Sequence, residues 1–129
     1  MDIQYIDDLS SIQLEYLIGF FVGWKAPPTS EHHYQLLKGS THFILATDGD
    51  RAVGFITALS DGVTSSFIPL LEVIPEYQRL GIGTELLRRM LLKLEDITNV
   101  DLTCDPDMQS FYERFSMLKS SGMVLRKYL

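Results

Sequence analysis

A glycine-containing turn between an apolar run and an amphipathic segment is the part of this sequence best suited to chemistry. Residues 70–92 read LLEVIPEYQRLGIGTELLRRMLL, and Gly81 and Gly83 stand just before the predicted helix. The first turn of a helix carries unpaired backbone N–H groups and the positive end of the helix dipole. Because glycine has no Cβ atom, phosphate oxygens can approach those N–H groups closely. The pattern indicates a phosphate-binding turn or an ordinary strand-to-helix connection, which also favours glycine.

A single charged residue, Glu72, lies within the strand predicted over residues 64–74. An unpaired carboxylate is costly to bury, so its presence in an apolar run needs a reason. Burial raises the pKa of a carboxyl group toward values that suit a general base. Carboxylates perturbed in this way often mark active sites. Glu72 is therefore a candidate base, and the alternative is a carboxylate at a solvated strand end that caps or pairs with a neighbour.

The residues around the turn resemble a known family. Residues 73–83, VIPEYQRLGIG, contain Gln-x-x-Gly-x-Gly and are similar to the acetyl-CoA signature of GNAT N-acetyltransferases, (Arg or Gln)-x-x-Gly-x-(Gly or Ala). Downstream, residues 111–115, FYERF, resemble the family's F-Y-x-(x)-x-G-F segment, although Ser116-Met117 stands where Gly-Phe is usual. The resemblance covers roughly residues 43–129. The dinucleotide motif G-x-G-x-x-G and the P-loop do not fit, because the last glycine of the first and the Gly-Lys-Ser/Thr of the second are missing.

The resemblance implies a fold and an activity. The expected fold is α+β and GNAT-like, with a central mixed sheet of six to seven strands flanked by about four helices, in one N-acetyltransferase domain over residues 1–129. In such a fold the fourth and fifth strands splay apart, and acetyl-CoA enters the gap as co-substrate. The implied reaction is transfer of the acetyl group to a primary amine of a small molecule or peptide by direct attack in a ternary complex. GNAT proteins are frequently dimers, so a homodimer is also implied.

The resemblance also assigns roles to single residues. Glu72 would deprotonate the amine, directly or through water, and the Tyr112 hydroxyl would protonate the departing sulfur. The alternative for Tyr112 is a core aromatic on a short helix. Coenzyme binding is expected at Leu71, Glu72, Val73, Gln78, Arg79, Leu80, Gly81, Ile82, Gly83, Thr84, Met108, Ser110 and Tyr112. Within this set the Val73 N–H would also serve as oxyanion donor, and Arg79 is equally well read as a solvated charge.

The acceptor site is expected in the N-terminal third. The candidates are Trp24, His32, His33, Tyr34 and Asp61, each of which is more often structural or simply exposed. Adjacent histidines point about 100° apart on a helix, so His32 and His33 are poorly placed to share a metal ion. No cluster with metal-ligand spacing is visible, and no metal is expected.

Hydrophobic periodicity and turn residues place the elements around these candidates. Strands are predicted over residues 1–6, 41–47, 52–59, 64–74, 100–104 and 123–129, and helices over residues 9–21, 31–37, 84–93 and 108–115. Thr29 or Ser30 is the expected cap of the second helix. The last strand is apolar and is expected at an open sheet edge, which invites pairing with a second copy.

Composition limits the function classes. The 129 residues include eleven basic and seventeen acidic side chains, for a net charge of −6. This charge argues against nucleic-acid binding and mildly favours a cationic substrate. A single cysteine, Cys104, excludes an internal disulfide. With no signal peptide or long apolar run, the sequence predicts a cytoplasmic protein that is not inserted in a membrane.

A second class of function remains open from the sequence. An acyl-CoA-binding module without turnover would have the same coenzyme turn and serve as a sensor or assembly partner. Such a module would need neither Glu72 nor Tyr112, so the presence of both favours the enzyme.

Overall fold

The fold is built on one long strand, β3, in the computed structural model, which describes residues 1–127. Six strands form a mixed sheet in this part of the chain: β1 (Ile3–Ile6), β2 (His42–Asp48), β3 (Arg51–Ser60), β4 (Ser65–Phe67), β5 (Leu71–Val73) and β6 (Asn99–Asp101). The order is β1-β2-β3-β4-β6, and β5 pairs with β3 beside β4. All pairs are antiparallel except β4–β6, which is parallel. The expected α+β class with a six-stranded mixed sheet is confirmed.

Three α-helices accompany the sheet within residues 1–127: α1 (Ser30–Gly39), α2 (Ile82–Lys93) and α3 (Gln109–Glu113). This is one fewer than the four predicted. The Thr29 hydroxyl caps α1 by accepting from the His32 N–H at 3.1 Å, as predicted. None of these helices has the length and apolar character needed to cross a bilayer.

The core lies between α2 and the sheet. The apolar face of α2 buries Leu86, Leu87 and Met90 completely, and β3 contributes Phe55 and Ile56. Gly54 of β3 lies directly under α2. A Cβ atom at Gly54 would come within 3.1 Å of Leu86 Cδ1 and 3.2 Å of Ile82 Cγ2. The missing side chain therefore lets the start of α2 pack closely on the sheet.

Several predicted elements are wrong. The helix expected over residues 9–21 is reduced to a 3-10 turn at Leu14–Tyr16, because Gly19 and Phe21 both have positive φ angles. The strand expected over residues 64–74 is divided into β4 and β5, with Pro69 between them. The strand expected over residues 100–104 ends at Asp101. The fourth predicted helix, over residues 108–115, is replaced by a 3-10 turn, Pro106–Met108, and the short helix α3.

The strand predicted over residues 123–129 is not formed in its described part. Residues 123–127 have no strand geometry, and the last two residues of that prediction lie outside the described range. Met123 and Leu125 are 100% and 85% exposed, so this apolar segment packs little against the rest of the described chain.

Candidate active site

A gap opens in the sheet where the chain changes partners at Pro69. Before Pro69, the Ile68 N–H donates to the Asp101 carbonyl at 2.9 Å, on the β6 side. After it, the Leu70 carbonyl accepts from the Thr57 N–H at 3.0 Å, on the β3 side. Proline has no N–H to donate, which suits this switch. Beyond the switch, β5 and the segment after β6 separate.

The gap has a volume of about 440 Å³, within the usual range of ligand pockets. It is lined by β5, by the segment after β6, by α3 and by a loop from the N-terminal third. The lining residues are Val22, Trp24, Ile68, Pro69, Leu70, Leu71, Glu72, Val73, Pro75, Gln78, Thr103, Cys104, Asp105, Met108 and Tyr112.

The backbone of β5 presents free groups to this gap. Leu70 and Ile74 both bond to β3, Leu70 through its carbonyl and Ile74 by donating its N–H to the Val53 carbonyl at 2.9 Å. Because antiparallel strands alternate the direction of their backbone groups, Leu71 and Val73 direct theirs to the other side. The Gln78 side chain donates to the Val73 carbonyl at 2.9 Å. The Val73 carbonyl is therefore occupied, and no described residue accepts the Val73 N–H on the gap side.

The glycine turn follows β5 and opens α2. Gly81 is the N-cap of α2 with a φ angle of 84°, and no side chain in the described part of the chain caps the helix. Its first N–H groups consequently have no intrahelical partner. Ile82 is 3% exposed and anchors the turn in the core, whereas Arg79 and Leu80 are exposed. An added Cβ at Gly81 would meet no atom within 4 Å, so the space beside this turn is open.

A positive charge lies near the same turn. The Arg114 guanidinium donates to Thr84 Oγ1 at 3.0 Å and lies 5.3 Å from the centre of the Phe111 ring. Thr84 is in the first turn of α2, so Arg114 brings a basic group from the end of α3 to the candidate phosphate-binding turn.

The Glu72 carboxylate is half-buried and bound to backbone amides. The Phe21 N–H donates to its two oxygens at 2.8 and 3.0 Å, and the Val22 N–H donates to one of them at 3.5 Å. These contacts explain why a carboxylate is tolerated in this strand. Glu72 thus has the neighbouring donors that the alternative interpretation expected, and it also lines the gap.

Tyr112 lines the gap from α3. Burial raises the pKa of its hydroxyl above the usual 10.0, and Cys104 adds to the shift. The hydroxyl therefore stays protonated at neutral pH and is able to donate. Its ring packs edge-on against Phe111 at 5.0 Å. Met108 also lines the gap, whereas Ser110 is exposed and is absent from the lining.

The structure places the acceptor candidates in different environments. Trp24 lies at the gap. His33 is fully buried against Phe20, Phe21 and Phe55, neither ring nitrogen has a hydrogen-bond partner within residues 1–127, and burial lowers the pKa of His33 from 6.5 to about 4. His32 is exposed, Tyr34 is half-buried, and the Asp61 carboxylate accepts the N–H groups of its own turn. These four residues are absent from the lining of the gap.

Sequence reasoning missed three contributors to this region. The Phe21 and Val22 amides were missed because the segment was predicted to be helical, although Gly19 and Gly23 indicated a break. Thr103 and Asp105 were missed because the strand predicted over residues 100–104 ends at Asp101 in the structure. Arg114 lies inside the FYERF segment and was overlooked beside Tyr112.

Comparison with known proteins agrees with this geometry. The profile of the acetyltransferase (GNAT) family matches residues 7–117. A crystal structure of a candidate acetyltransferase from Deinococcus radiodurans R1 has a TM-score of 0.95 and 44% identity, covering 98% of this chain and 90% of that one. A GNAT-family acetyltransferase from Streptococcus pneumoniae TIGR4 has a TM-score of 0.79 and 28% identity, covering 99% of this chain and 100% of that one.

A curated relative matches over part of its length. The uncharacterized N-acetyltransferase ycf52 of Porphyra purpurea is 29% identical over 108 residues, which are 80% of this chain and 62% of that protein. The present chain therefore spans less than two thirds of this relative. The profile match over residues 7–117 and the similarity to the Deinococcus structure together assign the family: the chain belongs to the GNAT family of acetyltransferases.

Proposed function

We propose that this protein transfers an acetyl group from acetyl-CoA to a primary amine of a small molecule or peptide, by direct attack in a ternary complex. The observation that carries the proposal is that Glu72 and Tyr112 line one gap, beside a strand that directs the backbone groups of Leu71 and the Val73 N–H toward it. A general base and a general acid on the two sides of a gap suit attack by an amine and loss of a thiol.

The coenzyme side fits the groups that acetyl-CoA would present. The uncapped start of α2, the open space at Gly81 and the nearby Arg114 suit a pyrophosphate. The N–H and carbonyl of Leu71, which face the gap, suit the amides of the pantetheine arm, as an added strand would. The coenzyme supplies the acetyl thioester, which is the electrophile of the reaction.

Three groups of the protein then act on the reactants: the side chains of Glu72 and Tyr112 and the backbone N–H of Val73. Glu72 takes a proton from the ammonium form of the acceptor, which frees the lone pair of its nitrogen for attack on the acetyl carbon, and after the attack the nitrogen releases a second proton to solvent. The Val73 N–H donates to the acetyl oxygen as negative charge develops there. The carbon–sulfur bond breaks as Tyr112 gives its proton to the departing sulfur, and solvent restores that proton.

The charge of the gap favours a cationic amine. Glu72 and Asp105 contribute carboxylates to the lining, and no lysine, arginine or histidine of the described chain is part of it. An amine in its ammonium form would be attracted to this gap before it loses its proton. Val22 and Trp24, which are 62% and 49% exposed, offer an apolar wall to the rest of the acceptor.

A non-catalytic acyl-CoA-binding module is the second candidate. The hydrogen bonds from Phe21 and Val22 to Glu72 favour it, because a carboxylate with a structural role would make the same contacts. A screen of acetyl-CoA with several classes of amine, detected by the free thiol released, separates the two candidates. Thiol release that depends on the amine supports transfer, and saturable coenzyme binding without release in any class supports the binder.

We also retain the homodimer as a proposal. Met123, Val124 and Leu125 expose apolar side chains in a segment without strand pairing in the described chain. Light scattering at micromolar concentration should give twice the monomer mass of 14.7 kDa, and a monomer mass would rule out a stable dimer.

A further inference from the structure

The segment over residues 19–23 has an unusual backbone. Gly19, Phe21 and Gly23 have φ angles of 97°, 62° and 84°. Glycine adopts this left-handed region without strain, but a bulky aromatic residue such as Phe21 seldom does. A backbone of this kind persists only where its surroundings hold it in place.

Glu72 is the group that holds it. Consecutive N–H groups next to a left-handed residue form a concave site for an anion. Here the anion is a side chain 51 residues away, and it accepts the Phe21 N–H with both oxygens and the Val22 N–H with one. Hydrogen bonds to a charged acceptor are stronger than those between neutral groups. The Phe21 ring, 4% exposed, packs against His33 at 4.9 Å and Phe55 at 5.9 Å and fixes the other side of the segment.

The residues carried by this segment are those that face the acceptor. Val22 and Trp24 line the gap together with Glu72, and the rings of Phe21 and Trp24 are 5.0 Å apart. We propose that Glu72 is the positioning residue of this acceptor wall. By binding the amides of Phe21 and Val22, it fixes Val22 and Trp24 at the gap, so that recognition of the apolar part of the amine depends on it separately from proton transfer.

The positioning role and the base role are compatible. A carboxylate has about four lone-pair sites, and the three N–H contacts leave room for a proton from the amine. The existence of the wall does not depend on catalysis. Its assignment as the acceptor wall rests on the proposed function, so the first measurement below needs no activity.

Glu72→Gln and Glu72→Ala separate the two roles. The glutamine carbonyl oxygen can still accept the Phe21 N–H, but the amide is no base, whereas alanine removes both. In Glu72→Ala we expect the Phe21 and Val22 amides to exchange with solvent at least about tenfold faster than in the parent protein, the factor for one lost hydrogen bond to a charged group. Acrylamide should also quench Trp24, the single tryptophan, more strongly. In Glu72→Gln the Phe21 amide should exchange with solvent at a rate close to that of the parent protein.

Glu76→Ala is the matched control. Glu76 is an exposed glutamate four residues further on, and its ion pair is with Arg51. This variant should leave amide exchange and Trp24 quenching unchanged. Parent-like exchange and quenching in Glu72→Ala would overturn the proposal. If Glu72→Ala does not fold, the test is made with Glu72→Gln. In a folded Glu72→Gln protein, a Phe21 amide that exchanges with solvent as fast as in a free peptide would also overturn the proposal.

Kinetics supply the readout that a merely structural role would not give. With phenethylamine as the probe amine, Glu72→Gln should lower kcat and move the acidic limb of the pH profile, with little change in KM. Glu72→Ala should raise KM as well, while coenzyme A binds as tightly as to the parent protein. The same KM for phenethylamine in Glu72→Ala and in Glu72→Gln would contradict the positioning role. Absence of thiol release in the parent protein with every class of amine in the screen would contradict the proposed function instead and leave the exchange result standing.

Discussion

Two regions meet at the gap, and they are built in different ways. Residues 71–93 form the proposed coenzyme side through local structure: a strand, a glycine turn and a helix, each adjacent in sequence to the next. Residues 17–28 form the proposed acceptor side through distant contacts, such as those of Phe21 with Glu72 and of Leu17 with Ser30. The coenzyme side is therefore specified mainly by nearby residues, whereas the acceptor side depends on partners 13 to 51 positions away.

The largest expected effect concerns Tyr112, which lines the gap from α3 and belongs to neither region. Tyr112→Phe keeps the ring and its packing on Phe111 but removes the hydroxyl. We expect kcat to fall by roughly 10²–10⁴, the usual contribution of a general acid, with coenzyme affinity and melting temperature unchanged. Steady-state kinetics and calorimetry measure these quantities.

Tyr16→Phe is the control, since Tyr16 is a half-buried tyrosine outside the lining of the gap. It should have parent kinetics. A Tyr112→Phe protein that is much less stable but turns over normally would show that Tyr112 is only a core aromatic.

The second prediction tests the acceptor side through pH. His33 is neutral in the folded protein because burial lowers its pKa to about 4, whereas the unfolded chain takes up a proton below about 6.5. The unfolded state therefore binds more protons between these values, and stability falls as pH falls from 6.5 to 4. The shift corresponds to about 3 kcal/mol of unfolding free energy.

Urea unfolding of the parent protein and of His33→Leu at pH 7 and pH 4.5 measures this effect. The variant should lose less stability on acidification, because leucine has no proton to gain. Equal losses in the two proteins would show that His33 is not the buried, neutral group described here.

The third and smallest prediction concerns the coenzyme side. Gly54→Ala would place a Cβ atom within 3.3 Å of Leu86, Ile82 and the Glu72 carbonyl. Overpacking of this kind costs roughly 1–3 kcal/mol, and displacement of α2 should also weaken coenzyme binding. Gly39→Ala, where nothing lies within 4 Å of an added Cβ, is the matched control. Equal urea midpoints for the two variants would indicate that α2 does not need the close approach.

What the sequence could predict follows the same division. Strands β2 and β3, the capped helix α1 and the glycine turn before α2 were predictable, because their hydrogen bonds and turn residues are local. The form of residues 17–23 was not, because its apolar spacing suits a helix and its carboxylate partner lies 51 positions away. Pro69 was the single local sign that residues 64–74 form two strands, β4 and β5. The division itself depends on β6 and β3, the partner strands on the two sides of Pro69, which are distant in sequence.

The central claim, that the turn opening α2 holds the pyrophosphate of coenzyme A, is tested most directly by calorimetry of coenzyme A with Gly83→Asp. An added Cβ at Gly83 makes ordinary contacts, 3.8 Å to Val73 and 4.0 Å to Phe111, and a carboxylate in a first helical turn favours the helix. The fold should therefore survive, while like-charge repulsion weakens coenzyme binding at least about 100-fold. Gly39→Asp adds the same charge elsewhere and should bind as the parent does. Parent affinity in a folded Gly83→Asp protein would contradict the account.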